Sequence, residues 1–254
     1  MATKRKRYLI VNADDLGQSP GVNRGVIEAH ERGIVTSASL MVRWPAAQEA
    51  ADYARSHARL SLGLHFDFSE WACRRGKWKS LYQVVDEDDV HAVAREANRQ
   101  LDAFQDLMGA NPTHLDSHQH AHCKRALRPI FVEMANALGV PLRSCTPKLR
   151  YCGGFYGQAS NGRPLPSFIS VRALTEILAA LPPNFTELGC HPGFADDLES
   201  MYKEERATEV KTLCNPQVRV VLDEIGIELC SFCDISTKGR SVPRQIPAAK
   251  LAAT

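Results

Sequence analysis

The sequence has no apolar run that approaches the ~18 residues of a membrane-spanning helix. Its amino-terminal letters MATKRKR are basic, but the apolar stretch YLIV that follows runs into Asn12, Asp14 and Asp15. A secretory signal needs a longer apolar segment, of about seven residues or more. These absences predict a soluble, cytoplasmic protein with no transmembrane segment.

An excess of charge of either sign is also missing. The 31 Lys and Arg residues nearly balance the 29 Asp and Glu residues, which leaves a net charge of +2. This balance argues against nucleic acid or a membrane surface as the main partner. The 254 residues contain no internal repeat, low-complexity tract or linker. We therefore expect one domain over residues 1–254, with a core from about 7 to 235 and flexible termini.

What is present is an alternation of strand and helix patterns. RYLIVNADD is an apolar run that ends in carboxylates, and SPGVNRGVIEAHERG follows with Ser19 as a helix N-cap and Pro20 at the first helical position. Comparable pairs recur to the last predicted strand, IELCSF. This order predicts an α/β fold with a parallel sheet, either a barrel or a doubly wound sheet.

The stretch THLDSHQHAH, residues 113–122, has an ionisable side chain at every second position: His114, Asp116, His118, His120 and His122. We interpret it as a strand, in which period-two spacing would point all five side chains at one face. Several imidazoles on one buried face are costly without a partner. The stretch therefore predicts chemistry, most simply a metal ligand.

Other ionisable residues follow other predicted strands: Asp14 and Asp15 the first, His65 the third, and His191 a later one. In parallel α/β folds the carboxyl ends of the strands form the ligand-binding edge. Taken singly, each has another explanation: a helix-entry turn for the aspartates, a satisfied half-buried ring for His65, and turn chemistry for His191. Together they predict one pocket, and two histidines with a carboxylate are a common set of ligands for a divalent ion.

Five segments in this order are similar to the YdjC family of carbohydrate deacetylases, which includes chitooligosaccharide and hopanoid-biosynthesis deacetylases: LIVNADDLG, SPGVNRGVIEAHERGIVTSASLMV, LGLHFDF, PTHLDSHQHAH and LGCHPGF. The resemblance runs from about Arg7 to Ile235. It implies a distorted (β/α) barrel related to polysaccharide deacetylases, as a single domain. It also implies a metal-dependent hydrolase that removes an acetyl group from an N-acetylated sugar, of oligosaccharide, glycolipid or sugar-phosphate type.

The resemblance assigns roles motif by motif. Asp15, His65 and His118 correspond to the ligands of one divalent ion, zinc or magnesium. Asp14 corresponds to the general base and His191 to the general acid.

Three further residues belong to the surroundings of this site. Asp116 is expected to orient an imidazole, while His120 and His122 are expected at or near the rim.

The segment EWACRRGKWKSLYQ departs from the family pattern, and we expect a polar and aromatic loop from Ser69 to about Asp86. Aromatic faces suit sugar rings and cations suit phosphate or carboxylate, so Trp71, Arg74, Arg75 and Trp78 are candidate substrate contacts. They would fit an anionic or lipid-linked sugar. A solvated basic loop is an equally open interpretation.

Two other functions remain open. Another metal-dependent (β/α)-barrel amidohydrolase would use a His-x-His pair, but that pair usually follows the first strand, whereas here the first strand ends in Asp14 and Asp15. An inactive sugar-binding relative would be expected to lack the base or the acid, yet Asp14 and His191 are both present. The sequence also leaves a homodimer open.

Overall fold

The computed structural model describes residues 5–74, 76–194 and 197–235, apart from the side chain of Arg74. The strands are β1 Arg7–Leu16, β2 Ser37–Leu40, β3 Ser61–Phe66, β4 Ser69–Arg74, β5 Lys77–Gln83, β6 Leu115–Ser117, β7 Leu149–Cys152, β8 Asn184–Cys190 and β9 Ile227–Leu229. The helices are α1 Pro20–Glu31, α2 Ala47–Ser56, α3 Val90–Met108, α4 Arg128–Leu138, α5 Val171–Ala180, α6 Glu204–Leu213 and α7 Pro216–Ile225. Short 3₁₀ turns cover His118–Cys123, Pro166–Ile169 and Phe232–Asp234.

A seven-stranded parallel sheet organises the molecule. Its hydrogen-bonded order is β6-β3-β2-β1-β8-β7, and β9 pairs with the start of β1. Among the described strands the ladder ends at β6 and β7 without closing, so the sheet forms a half-barrel with helices. The predicted α/β fold, a distorted barrel in one domain, is confirmed.

Local sequence signals set the helix boundaries. Ser19 caps α1 by accepting a hydrogen bond from the backbone N–H of Val22 at 3.2 Å, and Pro20 takes the first helical position. Helix α3 ends at Gly109, whose φ of 65° lies in the left-handed region that glycine tolerates. None of the described helices combines the length and apolar character needed to cross a lipid bilayer.

The central strand β1 separates two apolar clusters. Leu9 and Val11 point into the main core between sheet and helices, while Ile10 belongs to a smaller cluster with Phe185 and Phe232. Because strand side chains alternate between faces, Asn12 follows Ile10 on the face of the smaller cluster. That face is apolar at the start of β1 and polar toward its carboxyl end.

The histidine-rich stretch differs from the predicted strand. Strand β6 stops at Ser117, and a 3₁₀ turn follows in which Gln119 and His120 have φ values of 47° and 54°. The chain therefore leaves the extended conformation on which period-two alternation depends. The prediction that five side chains share one strand face is wrong.

Strands β4 and β5 pair as an antiparallel hairpin within the range from Ser69 to about Asp86, where a loop was predicted. Trp71 pairs in register with Ser80, and Cys73 with Trp78. Arg74 ends β4, and Arg75 lies outside the described residues. The alternating polar and aromatic letters thus reflect a two-stranded ribbon rather than an irregular loop.

Candidate metal and catalytic site

The ends of β1, β3, β6 and β8 meet at one cavity of about 330 Å³. Neighbouring residues on a regular strand point to opposite faces, yet Asp14 and Asp15 both line this site cavity. Asp15 has a φ of 65°, and the register between β1 and β2 shifts between Ala13 and Leu16. A left-handed residue other than glycine costs about 1 kcal/mol or more. The left-handed conformation of Asp15 therefore lets two adjacent carboxylates line the same cavity.

Asp15, His65 and His118 form one compact cluster. Oδ1 of Asp15 lies 3.2 Å from Nε2 of His65 and 3.0 Å from Nδ1 of His118. Ligands at about 2.1 Å from a zinc ion are spaced roughly 3 Å apart, so this donor set fits one divalent ion. Burial would raise the pKa of Asp15, but the Arg206 guanidinium and His118 hold it well below its usual value. The carboxylate is therefore ionised, as a metal ligand must be.

Asp116 and His65 are partners across β3 and β6. They are paired in register, and Nδ1 of His65 lies 2.7 Å from Oδ1 of Asp116. This hydrogen bond directs Nε2 of the ring toward Asp15. The other oxygen of Asp116 accepts from Ser39 at 2.7 Å and pairs with Arg143 at 2.6 Å.

Asp14 is held by Arg143 in a two-pronged ion pair, with N to O distances of 2.6 and 2.7 Å. Burial acts to raise the pKa of Asp14, and Arg143 lowers it below its usual value. Asp14, His65 and Asp116 also lie close enough to resemble a second metal-binding group. The guanidinium of Arg143 already bridges the carboxylates of Asp14 and Asp116. The cluster of Asp15, His65 and His118 is therefore the better candidate for a metal site.

His191 follows β8 and faces Asp14 across the cavity, with 3.8 Å between Nε2 and Oδ2. Its backbone N–H donates to Glu209 at 2.5 Å, and its ring lies against those of Tyr156 and Tyr202. Burial lowers the pKa of His191 to about 4. The ring is therefore neutral at neutral pH. Nδ1 is buried and makes no hydrogen bond to the described residues.

The other predicted site residues divide into two groups. His120 is exposed and lines the site cavity, as does Trp71. His122 is buried, bonds Ser117 through Nδ1 at 2.7 Å, and does not line this cavity. The ring therefore lies behind the cavity wall, bonded to the lining residue Ser117, rather than at the rim itself.

Trp78 lines a neighbouring cavity rather than this one. Of the two predicted arginine contacts, Arg74 is described only in its backbone and Arg75 is outside the described residues.

Sequence reasoning missed the buried charges that surround the site. Arg143 bonds Asp14, Asp116 and Glu187, and Arg206 bonds Asp15. Arg143 lies in VPLRS and Arg206 in KEERATEV, where nothing distinguishes them from surface arginines. Only their burial, at 1% and 2% exposure, identifies them as parts of the site.

Solved structures share this fold. A protein of Enterococcus faecalis described as a candidate cellobiose-phosphate cleavage protein is 26% identical, with a TM-score of 0.73 over 91% of this chain and 99% of its own. A family 4 carbohydrate esterase from Streptomyces lividans, solved with acetate, is 14% identical, with a TM-score of 0.52 over 90% of this chain and 93% of its own. The second likeness concerns the fold alone. Both solved structures therefore share the fold of this chain.

Sequence comparison gives the family. The model of the YdjC-like proteins matches residues 8–224. Chitooligosaccharide deacetylases of Serratia marcescens and Salmonella typhimurium are each 32% identical over 91% of this chain and all of their own length. The chain belongs to the YdjC-like protein family, as the motifs predicted.

Proposed function

We propose that this protein is a metal-dependent carbohydrate deacetylase that hydrolyses the acetamide of an N-acetylated sugar. The observation that carries the proposal is the convergence of a metal-binding cluster, Asp15, His65 and His118, with two proton-transfer candidates on one cavity. The deacetylase names of the family relatives agree with it. Asp14 and His191 are both in place, which argues against an inactive sugar-binding relative.

The donor set favours a particular class of ion. Two imidazole nitrogens and one carboxylate suit zinc or a similar transition metal, whereas magnesium prefers oxygen ligands and water. Such an ion, when bound, polarises the acetamide carbonyl and lowers the pKa of water. Asp15, His65 and His118 would hold it.

The remaining residues move protons. Asp14 is ionised and accepts a proton from the attacking water, because Arg143 stabilises its carboxylate. His191 is neutral before reaction, and its Nε2 lies 3.8 Å from Oδ2 of Asp14. The proton passes from Asp14 to His191 and then to the amine nitrogen as the carbon–nitrogen bond breaks. The products are acetate and the free amino sugar.

Acetate release tests the proposal. Metal-depleted protein is supplied with Zn²⁺ or Mg²⁺ and given neutral N-acetylated mono- and disaccharides, with a phosphoester and a cyclic amide as controls. We expect acetate only from the N-acetylated sugars, and higher activity with Zn²⁺. Absence of acetate from every sugar in folded, zinc-loaded protein would overturn the proposal, and hydrolysis of the cyclic amide would favour the amidohydrolase alternative. The cytoplasmic location and a homodimer remain predictions.

A further inference from the structure

Three tyrosines line the site cavity: Tyr151, Tyr156 and Tyr202. The hydroxyl of Tyr202 is occupied, because it donates to Glu209 and accepts from the backbone N–H of Gly157 at 2.7 Å. The Tyr156 hydroxyl makes no hydrogen bond to any residue that the structure describes, and it is not enclosed by protein. It therefore opens into the site cavity, where it can donate a hydrogen bond to a ligand.

The chain on both sides of Tyr156 is fixed. Phe155 is fully buried in the main core, and the backbone carbonyl of Gly157 accepts from the N–H of Leu165 at 2.6 Å. A Cβ atom on Gly157 would lie 2.8 Å from the side chain of Ile169, so the backbone packs closely here. This anchoring positions the Tyr156 hydroxyl before a substrate arrives. Donors fixed in this way need no reorganisation during a reaction.

The Tyr156 ring is also fixed, and it lies beside the proposed acid. It stacks on Tyr202, with 4.6 Å between ring centroids and 12° between the planes. It meets the His191 ring edge to face, with centroids 5.4 Å apart and an angle of 70°. Both contacts are geometries that aromatic rings prefer. Tyr156 therefore lies on the wall of the cavity that carries His191.

A hydrogen-bond donor on this wall suits amide hydrolysis. The oxygen and the nitrogen of an acetamide are bonded to one carbon atom, so a group beside the acid that protonates the nitrogen also lies near the oxygen. When water attacks, the planar carbonyl becomes a tetrahedral carbon whose oxygen carries negative charge. Burial and the carboxylate of Asp15 raise the pKa of Tyr156 to about 12. The phenol is therefore protonated at neutral pH and can donate to that oxygen.

Tyr151 also has a hydroxyl without a hydrogen bond to the described residues, but it is placed differently. Its ring lies 4.8 Å from Cζ of Arg143 and meets the ring of His120 edge to face. A Cβ atom on Gly189 would lie 2.6 Å from the Tyr151 hydroxyl oxygen, so this hydroxyl lies against the backbone of β8. Tyr156 is thus the better placed donor for the acetyl oxygen.

We propose that Tyr156 is a further catalytic residue, whose hydroxyl donates a hydrogen bond to the acetyl oxygen as negative charge develops on it. The inference rests on the proposed deacetylase function and adds a residue to its chemistry. The Tyr156 proton stays on the phenol, and the proton delivered to the amine still comes from His191. Because this bond is strongest in the tetrahedral state, it stabilises the transition state more than the bound substrate.

Replacing Tyr156→Phe removes the hydroxyl and keeps the ring against His191. In zinc-loaded protein given an N-acetylated monosaccharide, kcat should fall by about 10²-fold with KM nearly unchanged, as for the loss of one donor to an oxyanion. Tyr53→Phe removes a hydroxyl that bonds Glu31, on helix α2, and should behave as the unmodified protein. Zinc content and circular dichroism are measured on each variant, so that a change in metal binding or fold is recognised.

A tetrahedral analogue separates this role from simple packing. The methylphosphonamidate of the amino sugar carries an anionic oxygen on a tetrahedral phosphorus, where the reaction forms the tetrahedral carbon. Calorimetric titration should show weaker binding of this analogue to Tyr156→Phe protein, by about the same factor as the fall in kcat. The N-acetylated monosaccharide should bind Asp14→Asn protein equally well with and without Tyr156→Phe.

The outcomes distinguish the two proposals. Unchanged kcat and equal analogue affinity in Tyr156→Phe overturn the donor role and leave the deacetylase intact. An equal loss of affinity for the analogue and for the sugar assigns Tyr156 to substrate binding and also overturns it, as does a loss confined to Tyr151→Phe. If the unmodified protein releases no acetate, the deacetylase function fails, while weaker analogue binding in Tyr156→Phe still supports the hydrogen bond from this residue.

Discussion

Arg206 donates from Nη2 to Oδ2 of Asp15 at 2.6 Å, while Oδ1 of the same carboxylate faces His65 and His118. The arginine is itself fixed, because its Nε donates to the backbone carbonyl of Tyr202 at 2.9 Å. One oxygen of Asp15 is thus held by a buried cation of the chain, and the other is directed at the proposed metal position. Partners of metal ligands generally set ligand orientation and metal affinity.

Replacing Arg206→Met should therefore weaken zinc binding by about 10- to 100-fold. The reason is that Asp15 would lose the bond that orients Oδ1. Competition with a chelator of known affinity measures this directly, without turnover. Arg172→Met, which breaks an exposed pair with Glu176, is the control. Equal zinc affinity in both variants would contradict the orienting role.

Replacing Asp14→Asn should leave zinc content unchanged and lower kcat by about 10²-fold or more, as expected when a general base is removed. The amide keeps the shape of the side chain but cannot accept the proton from water. Metal analysis and acetate release are measured on the same preparation. Asp102→Asn, an exposed change on α3, serves as the control. Full turnover in Asp14→Asn would exclude the base role.

His118 and His120 provide a matched pair of changes within one turn. His118→Ala should lose bound zinc, because Nδ1 of His118 lies 3.0 Å from Oδ1 of Asp15. His120→Ala should keep it, because His120 lines the cavity outside the cluster that holds Asp15 and His65. Bound zinc is measured after gel filtration, and circular dichroism reports the fold. Zinc retained without His118 and lost without His120 would reverse the assignment.

Glu209 is fully buried, and its carboxylate accepts hydrogen bonds from the backbone N–H of His191 and the hydroxyl of Tyr202. Burial raises its pKa from the usual 4.5 to about 8. Between these pH values Glu209 is more fully protonated in the folded protein than in the unfolded chain. Its contribution therefore makes the free energy of unfolding decrease as the pH rises. The slope is at most about 1.4 kcal/mol per pH unit.

Glu209→Gln should remove this contribution. From about pH 4.5 to about pH 8 the unfolding free energy of the variant should therefore fall less steeply than that of the unmodified protein. Urea unfolding across this range measures the difference. Glu204→Gln, an exposed change on the same helix, should keep the original slope. Parallel slopes for Glu209→Gln and the unmodified protein would show that Glu209 does not titrate in this way.

From the sequence alone one could predict the alternation of strands and helices in the parallel sheet, the helix caps and the strands whose ends carry ionisable residues. Ser19 and Pro20 begin α1, Gly109 ends α3, and apolar runs mark β1 and β3, because these features depend on residues close together in the chain. Family motifs added the assignments of Asp15, His65 and His118, which the structure brings within hydrogen-bonding distance. Local sequence patterns were sufficient to predict these elements, because residues adjacent in the chain set their conformation.

The conformation of the histidine-rich stretch and the roles of the buried arginines depend on contacts between distant parts of the chain. The 3₁₀ turn after Ser117 overrides period-two alternation, since it places His118 beside Asp15, more than a hundred residues away in the chain. Arg143 and Arg206 resemble surface residues in sequence, and their roles depend on carboxylates supplied by distant strands. A buried charge is stable only when such partners converge on it, and that convergence is a property of the folded sheet rather than of any local stretch.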